Sequence, residues 1–380
     1  MKISIVTGFF LPVPALAGGA MEKIWYKLGQ LMAESGHEVT LVSRRWRGLP
    51  DTGTEGRLRH VRLPGFNHTR HLPFNLALDF IWGLRVARAL PPGDFVVCNT
   101  VALPAFLHRF KPAAGRIAVS LARMPKGQNR LYGDVSLLLA SSRAVADQTV
   151  RENPRLAERT ILFPNPIDWK LHRDASAQGT TPDPLTIGYM GRIHPEKGLE
   201  NLLAAAALLA SRADLPPWRL VLTGAVSVPQ GGGGEAYRDS LLATYTPALG
   251  ERLRFEPPVY DAVELARRYG RTDVFCYPSL AAKGEGLSVA PLEAMAAGAA
   301  PVVSELDCYR DILQPGINGF QFNQGSSMAA NELAAILARL LGDAALRRTI
   351  AAQAQASTRA YDFPVAAERL IEEFGRRNHG

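Results

Sequence analysis

Glu285-Gly-Leu-Ser-Val-Ala-Pro-Leu-Glu293 sets two carboxylates astride a loop-to-helix junction. Upstream, Val274-Phe-Cys-Tyr-Pro278 reads as a short buried strand, and residues 279–286 as the loop leaving its carboxyl end. Ser288 reads as the N-cap of a helix running through Met295. Pro291 fits only the first turn of that helix, where a missing N–H costs nothing. A helix start leaves backbone N–H groups unpaired and carries the positive end of the helix dipole, so it favours an anion such as a diphosphate. Carboxylates on either side accept hydroxyl hydrogen bonds, which suits a sugar or ribose. Two glutamates at an arbitrary spacing are more often a solvated loop charge and an ordinary helix residue, so the weight of this pair depends on its company.

That company is Gly191-Arg-Ile-His-Pro-Glu-Lys-Gly198. It follows a strand expected over 185–190 and precedes a helical run over 199–211, so it is a second strand–loop–helix junction. Its two cations, Arg192 and Lys197, suit phosphate oxygens.

Together the two segments resemble the retaining glycosyltransferases of family four, and the likeness runs the whole length of the chain. The resemblance implies an α/β fold of GT-B architecture: two Rossmann-like, doubly wound parallel-sheet domains facing a central cleft. It implies that Arg192 and Lys197 grip the donor diphosphate, that Glu285 touches the transferred sugar and that Glu293 holds the ribose. Gly286, Leu287, Ser288 and Val289 then belong to the donor site, and Arg192, Lys197 and Glu285 form the catalytic set, with no protein nucleophile. Gly18 and Gly19 stand in a Pro- and Gly-rich loop, 8–19, between a strand over 3–7 and a helix over 20–35. Relatives carry a similar loop whose backbone meets donor phosphates; no Gly-x-Gly-x-x-Gly dinucleotide fingerprint occurs. Expected domains are 1–165 on the acceptor side, 166–361 for the nucleotide sugar, and a terminal helix over 362–380 returning to the first. The polar stretch 174–184 reads as the linker.

The chain departs from its family in three places. Where many relatives set a histidine near the donor sugar's 6-hydroxyl, Leu121-Ala-Arg-Met-Pro-Lys126 offers Ala122 and Arg123. Arg123 and Lys126 are surface cations on a bland reading; on the sharper one they meet a carboxylate or phosphate of donor or acceptor, which favours a uronic acid donor or an anionic acceptor. Pro166 replaces a usual glycine in Asn165-Pro-Ile-Asp168, and Ser288 replaces a glycine common in the glutamate motif.

With 380 residues the chain is too long for one average core and suits two domains. Cys98, Cys276 and Cys308 are few and far apart, which indicates neither a disulfide framework nor a zinc site and favours a reducing cytoplasm. Charge is uneven: residues 1–165 hold 22 Lys and Arg against 11 Asp and Glu, and the remainder holds 21 against 24. A basic half faces an anionic partner such as a phospholipid surface, a lipid-linked diphosphate or an acidic glycan, and peripheral contact with the inner membrane face is expected on that ground. No helix-turn-helix, zinc or stacking motif accompanies the charge, so nucleic acid is not expected as a partner. The first twenty residues imitate a secretion signal, but Pro12 and Pro14 interrupt the apolar stretch and a first Rossmann strand explains it better. No acidic metal-binding cluster or cofactor motif is seen; the resemblance implies a nucleotide-diphosphate sugar as donor, with UDP expected first. Gly231-Gly-Gly-Gly234 reads as a flexible loop, and the histidines of the basic loop 67–73, His68 and His71, as solvated. Two other classes remain open: a nucleotide-sugar 2-epimerase of related fold, and a non-catalytic nucleotide-sugar-binding partner.

Overall fold

The structure, a computed structural model, describes every residue except 68, 70, 178–183, 283 and 379–380. Its contacts divide into two units, Met1–Pro166 with Phe363–Gly380, and Ile167–Asp362. The first carries β1 (Lys2–Val6), β2 (Glu38–Arg44), β3 (Thr52–Glu55), β4 (Leu58–Leu63), β5 (Phe95–Cys98), β6 (Arg116–Leu121), β7 (Leu137–Ala140) and β8 (Thr160–Leu162). Their order is β3-β4-β2-β1-β5-β6-β7-β8, parallel except for the antiparallel edge pair β3–β4. The apolar run that imitates a leader is thus a central strand, with Ile3 and Ile5 fully buried between β2 and β5.

The second unit carries β9 (Leu185–Met190), β10 (Trp218–Thr223), β11 (Leu253–Glu256), β12 (Val274–Tyr277), β13 (Ala300–Ser304) and β14 (Phe320–Phe322). All are parallel, in the order β11-β10-β9-β12-β13-β14. Strands buried on both faces need no alternation, which is why β12 reads Val-Phe-Cys-Tyr without a polar residue. Strand order reverses between β9 and β12, and in such sheets ligands collect outside the carboxyl ends of the strands at that point. The two motif-bearing loops leave those two strands.

The linker expectation is corrected. Residues 174–177 belong to the helix Trp169–Ala177, which is part of the second unit, and 178–183 lie outside the described residues. The chain passes between units earlier, after Pro166, where the Ile167 N–H donates to the Tyr361 carbonyl at 2.9 Å. Polarity misled because a surface helix is polar on its solvent side. The helix Phe363–Asn378 belongs to the first unit: Phe374 stacks on Phe95 with centroids 4.3 Å apart, and Arg377 donates to the Ser136 carbonyl at 3.1 Å.

Candidate functional site

The helix after β12 runs Val289–Ala296 and packs fully buried Leu292, Ala294, Met295 and Ala296 into the core of the second unit. Ser288 has the extended backbone of an N-cap but makes no side-chain cap. Its hydroxyl is diverted: it donates to Glu285 Oε1 and lies 3.0 Å from the Tyr277 hydroxyl. The expectation of a serine cap is therefore corrected, and the first turn keeps N–H groups free of that side chain.

Glu285 is not a solvated loop charge. Its Oε2 accepts from Lys197 Nζ at 2.8 Å and from Ser279 Oγ at 2.9 Å, while Oε1 accepts from Ser288. Both members of the ion pair are buried, with side chains 8% and 11% exposed. Burial pushes a carboxyl up, but here Lys197 and the two serine hydroxyls outweigh it and hold Glu285 below its ordinary value. Burial would likewise lower the Lys197 ammonium; Tyr277 and Glu285 overcome that and raise it. Lys197 also sits 5.3 Å from the centroid of the Tyr277 ring, which stacks on Tyr189 at 5.7 Å. The pair thus joins the loop after β9 to the loop after β12 across the reversal of strand order.

Arg192 is fixed by two partners. Its guanidinium donates to the Gly231 carbonyl at 2.7 Å and pairs with Glu196. Gly231 opens the four-glycine segment, and the expectation of a free flexible loop is corrected here. The Gly233 N–H donates to the Ile193 carbonyl at 2.7 Å, the Gly234 N–H donates to the Val226 carbonyl at 2.8 Å, and a Cβ at Gly232 would collide with the backbone of Val226. The glycines are there because two backbones run in contact, and what they support is the arginine.

Glu293 is buried beside His172, whose Nε2 is 3.6 Å away. Burial, with Glu293 beside it, pushes the Tyr269 phenol well up. The His172 ring meets Tyr269 edge-on at 5.5 Å and is 1% exposed, and neither ring nitrogen has a hydrogen-bond partner. Sequence reasoning missed His172, Ser279 and Tyr277. The only signal was position: Ser279 and Tyr277 flank the end of a strand bearing a motif, and His172 lies four residues past Asp168.

In the first unit, Gly18 and Gly19 both hold positive φ, 82° and 106°, at the start of the helix Ala20–Glu34. A Cβ at Gly19 would run into the Glu22 carboxylate and Leu11, so glycine is required there by packing as well as by φ. Arg123 and Lys126 are exposed after β6. His68 and Arg70 lie outside the described residues, and His71 is exposed. Cys98, Cys276 and Cys308 are buried free thiols.

Two doubly wound units, the second with a charged, ordered crevice at a reversal of strand order, fit the class that the two motifs resemble, and comparison with known proteins shows the family. Residues 173–357 match the family of glycosyl transferases group 1. A phosphatidyl-myo-inositol mannosyltransferase of Mycobacterium leprae is 31% identical over 98% of this chain and 96% of its own. The chain belongs to the group 1 glycosyl transferases, the GT-B class that its two motifs resemble, and it transfers a sugar to an acceptor. A phosphatidyl-myo-inositol mannosyltransferase of Mycolicibacterium smegmatis is 26% identical over 98% of this chain and 93% of its own. Among solved structures, sucrose-phosphate synthase from Thermosynechococcus elongatus superposes with a TM-score of 0.81 at 21% identity, covering 99% of both chains. HepE of Anabaena in complex with UDP and glucose gives 0.72 at 19% identity, covering 99% of this chain and all of that one.

Proposed function

We propose that the enzyme moves a glycosyl group, with retention, from a UDP-sugar to a hydroxyl of a lipid-linked or anionic glycan acceptor. The observation that carries the reading is the buried Lys197–Glu285 pair with Arg192 beside it on the same loop. In this reading Arg192 and Lys197 take the diphosphate as its charge develops, with the free backbone N–H groups at the start of Val289–Ala296 behind it. Glu285 faces the transferred sugar, and Glu293 takes the ribose hydroxyls. Gly18 and Gly19 offer backbone to the donor, and Arg123 and Lys126 serve the acceptor or a charged sugar.

Preorganisation supports this assignment. Three donors hold the Glu285 carboxylate, and a carbonyl with a carboxylate hold Arg192, so neither must be reoriented when charge develops. In this reading the side-chain cations Arg192 and Lys197 neutralise the leaving group. The uridine nucleotide is supported by the fold's likeness to HepE, which is described with UDP and glucose. The acceptor class is supported by the relatives' names, which specify phosphatidyl-myo-inositol and, in Geodermatophilus obscurus, D-inositol 3-phosphate, both anionic inositol derivatives.

The test is transfer kinetics on Arg192→Ala, with a thermal-shift panel of UDP-, GDP- and ADP-sugars to fix the donor. Losing one preorganised donor to the developing charge should cost about 2–4 kcal/mol of transition-state stabilisation, read as a fall in kcat. Turnover within about threefold of wild type would sink the reading.

A further inference from the structure

The basic excess of the first unit is concentrated. Residues 56–133 hold 12 Lys and Arg and only two acids, Asp79 and Asp94, a net of +10. Asp79 is buried and is spent on the backbone: its Oδ2 accepts from the N–H groups of Val101 and Ala102 at 3.0 and 2.7 Å. It thereby pins the start of the helix Leu103–Phe110 to the helix Leu72–Ala89.

These two helices expose large apolar side chains where a soluble surface would bear charge. Leu72, Phe74, Leu76, Phe80 and Ile81 are 41–65% exposed, and Phe110 is 69% exposed. The spacing is helical: Leu72, Leu76 and Phe80 form one ridge, and Phe74, Ala77 and Ile81 the next, over about 15 Å of helix. The aromatic row continues onto the second helix, with Phe80 edge-on to Phe106 and Phe106 edge-on to Phe110, each at 5.4 Å. Around it stand His71, Arg88, His108 and Arg109, all exposed, and neither helix carries an exposed acid.

We propose that this aromatic face, with Arg88 and Arg109 exposed on the same two helices, docks the enzyme on an anionic lipid bilayer, with Phe74, Ile81 and Phe110 entering the interface. An apolar face with a basic rim gains area from the acyl boundary and attraction from anionic headgroups. Charge complementarity selects this occupant over a second copy of the chain, which would bring one +10 segment against another. The inference rests on the reading of a lipid-linked acceptor, to which it adds the surface that meets the lipid.

The experiment is flotation of the full chain with vesicles of phosphatidylcholine alone and of phosphatidylcholine mixed with phosphatidylglycerol. The wild type should float with the mixed vesicles on the order of tenfold more than with neutral ones, and raised salt should weaken this. Phe74→Ser/Ile81→Ser/Phe110→Ser should lose roughly tenfold in mixed-vesicle binding, whereas the exposed apolar pair of the second unit, Ile317→Ser/Met328→Ser, should lose nothing. Arg88→Glu/Arg109→Glu keeps the apolar face and should lose the preference for anionic vesicles. Donor thermal shifts run on every variant report folding and leave the donor reading separately testable. No flotation of the wild type, a serine variant that floats as the wild type does, or a dimer that the serine changes dissociate without any flotation would each overturn the proposal.

Discussion

Lys197 and Glu285 lie 2.8 Å apart with both side chains about nine-tenths buried, whereas Arg88, Arg109, Arg123 and Lys126 of the first unit stand exposed, none within ion-pair distance of a described carboxylate. The two regions use charge in opposite ways. In the Lys197–Glu285 pair each charge is matched, held by several partners and shielded from water, so it is stiff and nearly indifferent to salt. Those four cations of the first unit are alike and solvated, so they add to a long-range field and contribute little to the fold. A matched, rigid charge suits a reacting centre; an unmatched, exposed one suits capture of an anionic surface or substrate.

The largest effect that would break this contrast is on the matched side. Lys197→Ala strips Glu285 of its ammonium and leaves a buried carboxylate with two hydroxyl donors, so a loss of about 3–5 kcal/mol of stability is expected. Adding Glu285→Gln removes the orphaned charge and should recover most of that stability in chemical denaturation, while turnover stays low. A double variant that regained turnover would show the pair to be structural only. Arg109→Ala, by comparison, should shift stability by no more than about 0.5 kcal/mol.

A smaller effect sharpens the contrast within the second unit. His172 is the one site neighbour described above whose polar atoms have no hydrogen-bond partner, and it lies 3.6 Å from Glu293. His172→Phe fills the same space without a polar edge. If the close approach of the imidazole orients Glu293 toward ribose, the donor KM should rise roughly three- to tenfold with kcat nearly unchanged, the signature of lost uniform binding. A donor KM within about twofold of wild type would reduce His172 to packing.

How legible all this was in the sequence follows the same division. Buried parallel strands announce themselves as short apolar runs, so β1, β9 and β12 were readable, and with them the loops that carry Arg192, Lys197 and Glu285. β3 was not: Thr-Gly-Thr-Glu has no apolar residue and is a strand only because the sheet edge offers it a partner. β14 spans three residues, too few for a period. The helix Leu72–Ala89 begins before the point a proline would suggest, because Pro73 serves its first turn instead of breaking it. Apolar residues surround most of that helix, so the sequence shows that it is hydrophobic without showing which residues face out. The support of Arg192 by Gly231 and the nearness of His172 to Glu293 join residues far apart in sequence, and local patterns do not carry such contacts.

The smallest expected effect is an absence of titration, and it tests whether the matched pair stays charged through the working range. Glu285 is held below its ordinary value, so its contribution is fully present above the unfolded carboxyl value of about 4.3 and is lost as pH falls through the lower folded value. Lys197 is held above its ordinary value, so its contribution is fully present below about 10.4 and is lost as pH rises through the higher folded value. Between about pH 5 and 10 both remain ionised and the pair contributes no slope. Tyr277, which faces both, is pushed up by burial and by Glu285, so its phenol stays protonated across the same window. Stability measured by chemical denaturation on the wild type and on Lys197→Ala/Glu285→Gln should therefore differ by a constant amount across that window. The difference should begin to shrink only outside it, on the acid side as Glu285 protonates and on the alkaline side as Lys197 loses its proton. A difference that instead changes by about 1 kcal/mol between pH 6 and 8 would mean that one member of the pair titrates there and that the crevice is not held in a single charged state.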